Sequence, residues 1–293
     1  MAGTTTTEMQ QVIDDVLSAE SDVDGLVDDQ LVVGQDEVVE TDEQSACSAI
    51  DSAHLDAVPE GDASVAAAAP AGAGGFVSMS QLDGVPLFFA RGVEPRPQTF
   101  SVEPHFRDLL TETVKSVRFR APASFGDLKR ITSAGVLVHK PGFHGKGRAF
   151  DHDAWAFEHV NIRPIAHEHN APSLHRRQRY WALAALIRSH SAFVLHGEYN
   201  PDHRDHIHQD NGGPRPFTTS SEATVKLVQA MCNHIFDHSP KLTIDGGFGP
   251  LSSGAAAEAM RKVGLAGDIF DFGQWTRFLL RSGRLGFELS MRG

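Results

Sequence analysis

Cysteine is nearly absent. Cys47 and Cys232 are the only two among 293 residues. One lies in an acidic stretch and the other in a predicted helix far along the chain, so a disulfide framework is not expected and a thiolate zinc site is excluded by count. Basic residues are missing from the first ninety positions, the first being Arg91. No apolar run reaches the roughly 18 residues that a membrane-spanning helix needs, so no transmembrane segment is expected. The start, Met1-Ala2-Gly3-Thr4, has neither a charged nor an apolar region of the kind a secretory signal carries. A substrate outside the membrane would then require another route of export or delivery.

What charge there is falls unevenly. The net charge is -12, yet 17 of the 38 acidic residues lie in residues 1–62, which hold no Lys or Arg. The other 21 acids face 26 bases, leaving the remainder at +5. A mildly basic surface suits an anionic polymer such as a bacterial wall. No nucleic-acid partner is expected.

Composition divides the chain into three. Residues 1–75 are acidic, contain no aromatic residue and end in an Ala/Gly-rich linker; they are expected to be a disordered tail, with a delivery protein as a possible partner. Residues 76–216 carry the apolar and aromatic content of a folded domain. Arg130–His139 and Ala192–His196 read as strands, and Arg179–Arg188 as a helix. Residues 217–293, beyond Gly212-Gly213-Pro214-Arg215-Pro216, read as a bundle of three short helices. The first is capped by Ser220 or Ser221, the second covers Ala255–Lys262 and the third Gln274–Arg281, with the loop Ile244–Pro250 between the first two.

Chemistry gathers in two short runs. His144-Gly145-Lys146-Gly147-Arg148-Ala149-Phe150-Asp151 offers an imidazole and a carboxylate seven residues apart, which is not the spacing of two ligands on one helical face. The glycines indicate a bend leading into a strand. His203-Arg204-Asp205-His206-Ile207-His208 follows about fifty residues later. His206 and His208 alternate and so share a face on a strand, whereas Asp205 reaches that face only if the chain bends. Zinc accepts imidazole nitrogen and carboxylate oxygen, and a catalytic zinc takes three protein ligands and leaves one position for water. His144, Asp151 and His208 are the candidate ligands. Asp205, His203 and His206 are the candidates for proton transfer, and Arg148, Lys140 and Arg130 for oxyanion stabilisation. His167-Glu168-His169 is expected to be a solvated loop.

The pattern H-x-x-G-x-A-x-D followed by H-x-x-H-x-H resembles the zinc peptidases that cleave peptidoglycan stem peptides, the group containing the VanX and VanY D-Ala-D-Ala peptidases and the bacterial extensin-like proteins. The extensin-like likeness is carried by Tyr199-Asn200-Pro201-Asp202-His203-Arg204-Asp205-His206-Ile207-His208-Gln209-Asp210 and spans about residues 127–211. Gly142 stands where the group usually has Ser. The resemblance implies an α+β domain with a central antiparallel sheet, Zn2+ on His144, Asp151 and His208, Asp205 as general base, and His206 and His203 in the active site. Val225-Lys226-Leu227-Val228-Gln229-Ala230 and the loop Ile244-Asp245-Gly246-Gly247-Phe248-Gly249-Pro250 resemble the three-helix peptidoglycan-binding domain, with Ser252 where that family has a helix-capping Thr. Together these imply a zinc peptidase acting on peptidoglycan at the bacterial cell wall. The alternative is a non-catalytic wall-binding or delivery component, such as part of a phage tail or a secreted toxin assembly, that retains the fold.

Overall fold

The computed structural model describes residues 10–15, 18, 75–90, 94–213 and 215–292. Ten strands form in chain order: β1 (Val77–Met79), β2 (Gln81–Leu82), β3 (Val85–Phe89), β4 (Arg96–Pro97), β5 (Phe100–Val102), β6 (Leu128–Ser133), β7 (Ala149–Phe157), β8 (Asn161–Ile162), β9 (Phe193–Leu195) and β10 (Ile207–Asp210). Among the described residues beyond position 75, five α-helices accompany them: α1 (Pro104–Arg120), α2 (Leu174–His190), α3 (Glu222–His234), α4 (Pro250–Lys262) and α5 (Phe272–Leu289).

The main sheet runs β2-β3-β6-β7-β10-β9, with β4 on β3 and β8 on β7, while β1 and β5 pair separately. The expected antiparallel sheet is in fact mixed, because β3 and β6 pair in parallel. Neighbouring parallel strands need a crossover, and α1 lies within that connection. Glu103 starts α1 by accepting from the amides of His105 and Phe106, with Pro104 in the first turn. Its buried Phe106, Leu110, Val114 and Val117 recur at helical spacing. β6 stops at Ser133, short of the expected Arg130–His139. The Ser133 hydroxyl accepts from the Gly135 amide at 3.1 Å and turns the chain out of the strand.

The register between β7 and β10 places the chemistry. His208 lies opposite Asp151, flanked by the pairs Ile207↔His152 and Gln209↔Phe150. Side chains alternate across a sheet, so Asp151 and His208 face one side while His152 and Gln209 face the other. On that other side a buried network forms. Trp155 Nε1 donates to His152 Nδ1 at 3.2 Å, and His152 Nε2 meets Gln209 Oε1 at 2.7 Å. The Gln209 amide then donates to Thr113 Oγ1 of α1 and to Ser191 Oγ. Every group in this chain has a partner of the right sense, which fixes His152 as the neutral Nε2–H tautomer.

α2 is buried on nearly all sides from Tyr180 to Ser189, as a helix enclosed by neighbours must be. α5 crosses it at close range: a Cβ on Gly283 would meet Leu186 Cγ at 2.4 Å, and one on Gly286 would meet Ala182 Cβ at 2.9 Å. Phe287 of α5 packs on Phe125, and Phe217 packs on Trp275. Residues on both sides of position 216 thus belong to one hydrophobic core.

Ser221 caps α3 as expected, whereas α4 starts five residues before its expected Ala255 and ends at Lys262 as expected, and α5 extends beyond Gln274–Arg281 at both ends. Ser252 is not the cap of α4. Gly249 holds that position, and Ser252 instead donates to the Gly247 carbonyl and accepts from Gln229. Most of the expected acidic tail lies outside the described residues. Residues 10–15 are helical, with Val12 and Ile13 buried and Asp15 paired with Arg292. No helix among the described residues is long and apolar enough to cross a membrane.

Several buried histidines, His152 and His196 among them, make the fold sensitive to acid. Burial lowers His152 and His196 from the usual 6.5 to about 4. Each is therefore neutral in the fold but protonated in the unfolded chain below pH 6.5. Stability present above that pH is lost as pH falls towards 4, at about 1.4 kcal/mol per pH unit for each group. Denaturant unfolding of the metal-stripped protein should show a midpoint that drops steadily from pH 6.5 to 4.5. A flat profile over that range would mean that neither ring is neutral in the native state.

Candidate metal centre

The first cluster is built from a turn and two strands. His144 opens a single 3-10 turn between β6 and β7, Asp151 sits in β7 and His208 in β10. The turn requires Gly145, because a Cβ there would fall 2.0 Å from the Lys140 carbonyl oxygen. His144 Nε2 lies 3.2 Å and His208 Nδ1 2.9 Å from Asp151 Oδ1, and one polar atom from each of the three lies within 4.8 Å of the others.

Each imidazole is oriented by an acceptor behind it. His144 Nδ1 meets the Val136 carbonyl at 2.8 Å. A carbonyl can only accept, so Nδ1 carries the proton and Nε2 presents its lone pair to the centre. His208 Nε2 meets Asp210 Oδ2 at 3.0 Å, leaving Nδ1 to face Asp151. Such outer partners set the tautomer of a metal-binding histidine and raise its basicity. Asp210 in turn accepts from the Gly212 amide. Among the described residues these buried His and Asp side chains form a group able to hold a metal ion.

The second group overlaps the first. His203 ends a 3-10 turn, Pro201–His203, capped by Asn200. The chain then bends through Arg204 and Asp205 before β10 begins. That bend provides the departure from strand geometry that Asp205 required: its Oδ1 meets His206 Nδ1 at 2.8 Å. His206 Nε2 lies 3.7 Å from Asp151 Oδ1. His203, His206 and His208 also converge within 4.8 Å. Asp205 is the most exposed of these groups, at 33%, compared with 13% for Asp151 and His206.

Charge organises the centre. Burial alone would raise the Asp151 carboxyl, but His144 and His206 overrule it and hold it well below the usual range. His208 shows the reverse balance: burial lowers it, and its bonds to Asp151 and Asp210 lift it to about 9. Its ring is therefore protonated at neutral pH in the metal-free protein, and a bound metal must displace that proton. Burial, assisted by the neighbouring His206, keeps His203 well below 6.5 and therefore neutral.

All six expected site residues thus meet in one place. Of the cationic candidates, Arg148 is bound to Asn211 and stacked on Phe143, and Arg130 lies over Phe88. The solvated loop expected at 167–169 is instead partly internal. Glu168 and His169 are each 2% exposed; Glu168 accepts from the Arg163 amide, and the His169 ring lies against Gly197 and Tyr180. Asp210 was not foreseen, although its place two residues after His208 on a strand puts both on one face. A groove of about 410 Å³ lined by Asp83, Lys115, Arg118 and Phe157 shares no residue with the centre. No known protein family, curated protein or solved structure matches the chain. The residues themselves must therefore carry the functional reading.

Asp210→Ala should weaken divalent metal binding by about 10- to 100-fold, the usual cost of removing a ligand's outer partner, with little change in the fold seen by circular dichroism. Unchanged affinity in a competition titration would show that His208 needs no such support.

Proposed function

We propose that the chain is a zinc-dependent peptidase that hydrolyses stem-peptide bonds of peptidoglycan at the bacterial cell wall. The observation that carries this reading is the convergence of His144, Asp151 and His208, each imidazole held from behind in the tautomer that metal binding needs. Two imidazoles and a carboxylate suit zinc, and tetrahedral bonds of about 2.0–2.1 Å place ligand atoms about 3.3 Å apart. The observed 3.2 and 2.9 Å separations lie a few tenths of an ångström below that spacing. The nature of the substrate rests on the motif resemblance.

A zinc ion held there would supply a Lewis acid and lower the pKa of a water. The chain's own residues do the rest. Asp205 takes the proton of the attacking water and returns it to the leaving amine. His206 donates through Nδ1 to Asp205 and so ties the base to the wall of the centre. His203, neutral and fixed by Asn200, packs beside His206 with ring centroids 5.0 Å apart and limits its movement. α3–α5 hold the enzyme to the wall and raise the local substrate concentration.

Purified peptidoglycan digested with the protein should release fragments whose masses identify the bond cut. Asp205→Ala should retain its metal and lose roughly 100- to 10,000-fold in rate, the usual contribution of a positioned acid–base group. If Asp205→Ala cuts at the normal rate while His206→Ala is inactive, the proton-transfer role belongs to His206. A zinc-loaded protein that releases no fragment would remove the peptidase reading.

A further inference from the structure

The centre offers more donors than one catalytic metal uses. Asn200 Oδ1 accepts from the amides of Asp202 at 3.1 Å and His203 at 3.2 Å, which identifies it as the carbonyl oxygen of that side chain. His203 Nδ1 lies 2.6 Å from the same oxygen and must therefore donate to it. The unprotonated nitrogen of His203 is then Nε2. The same logic applies to His206, whose Nδ1 faces the Asp205 carboxylate and whose Nε2 lies 3.7 Å from Asp151 Oδ1. With both rings in the neutral form, two lone pairs remain beyond the three donors of the first cluster, the one on His206 appearing once the proton that faces Asp151 is displaced, as at His208. They belong to buried or nearly buried side chains on a capped turn and an adjoining bend, with the His203 and His208 ring centroids only 5.9 Å apart.

We propose that His203 and His206 form a second, weaker divalent-cation subsite beside the first, and that filling it stops hydrolysis. The inference rests on the metal-centre reading above. Imidazole donors suit Zn2+, Co2+, Ni2+ and Cu2+ and discriminate against Mg2+ and Ca2+. Two neutral donors bind more weakly than a set that includes a carboxylate, so the subsite fills only once the first is saturated. A cation on His206 Nε2 stands one ring away from Asp205. It lowers the basicity of that carboxylate and takes the space through which the proton must pass to the leaving amine.

The test is a titration of the full, metal-stripped chain with Co2+, followed by calorimetry and by visible absorption. Wild type should bind two equivalents, the second at least about tenfold more weakly than the first. His206→Ala and His203→Gln should each keep the first equivalent and lose the second, while His144→Ala should lose the first. Using two variants guards against one that folds poorly. A single equivalent at large Co2+ excess overturns the proposal, as does a second equivalent that survives in both variants. In that case the two lone pairs serve water or substrate N–H groups. The count is read without substrate. Two equivalents in a protein that digests no wall would leave the subsite standing and remove the peptidase reading, and one equivalent in an active peptidase would do the opposite.

Discussion

The register between β7 and β10 is the constraint on which the centre depends. Asp151 stands opposite His208 because these two strands pair as they do. A slip of one residue would turn His208 to the helix side and bring Gln209 to the metal side. That slip is opposed on the hidden face. His152, Gln209, Thr113, Ser191 and Trp155 form a hydrogen-bonded chain that only this register completes. Breaking it would leave several buried polar groups without partners, each costing about 1–3 kcal/mol. The hidden face of the sheet therefore fixes the face that carries the candidate centre.

A second dependence runs through the turns. His144 and His203 both sit on single 3-10 turns rather than on regular elements. One turn is set by a glycine that a carbonyl approaches closely, the other by the cap of Asn200. Both turns deliver a histidine whose Nδ1 faces a fixed acceptor, so backbone geometry and tautomer are decided together. Asn200 performs both tasks with one oxygen.

Much of the centre could be read from the sequence because its ligand types are chemically distinctive and their spacing excludes a helix. His144, Asp151, His208, Asp205, His206 and His203 were all legible on that basis. Val136 was not, because a backbone acceptor leaves no trace in residue type. The parallel pairing of β3 and β6 was hidden because β3 is five residues long, contains Pro86 and carries no sign of its partner. The third C-terminal helix, expected over Gln274–Arg281, runs on through Gly283 and Gly286. They lie inside α5, where the absence of a side chain admits Leu186 and Ala182 of α2. Composition likewise marked Glu168 and His169 as solvated, whereas a backbone amide draws Glu168 inward.

The contact between α5 and α2 has a mechanical consequence. A module joined by a linker absorbs force by extending the linker. Here the last helix is seated without a gap on Ala182 and Leu186, and α2 packs against β9 and β10. A load borne by the C-terminal helices would pass straight into the layer that carries His208, so tension at one end of the molecule would be felt as strain at the metal centre.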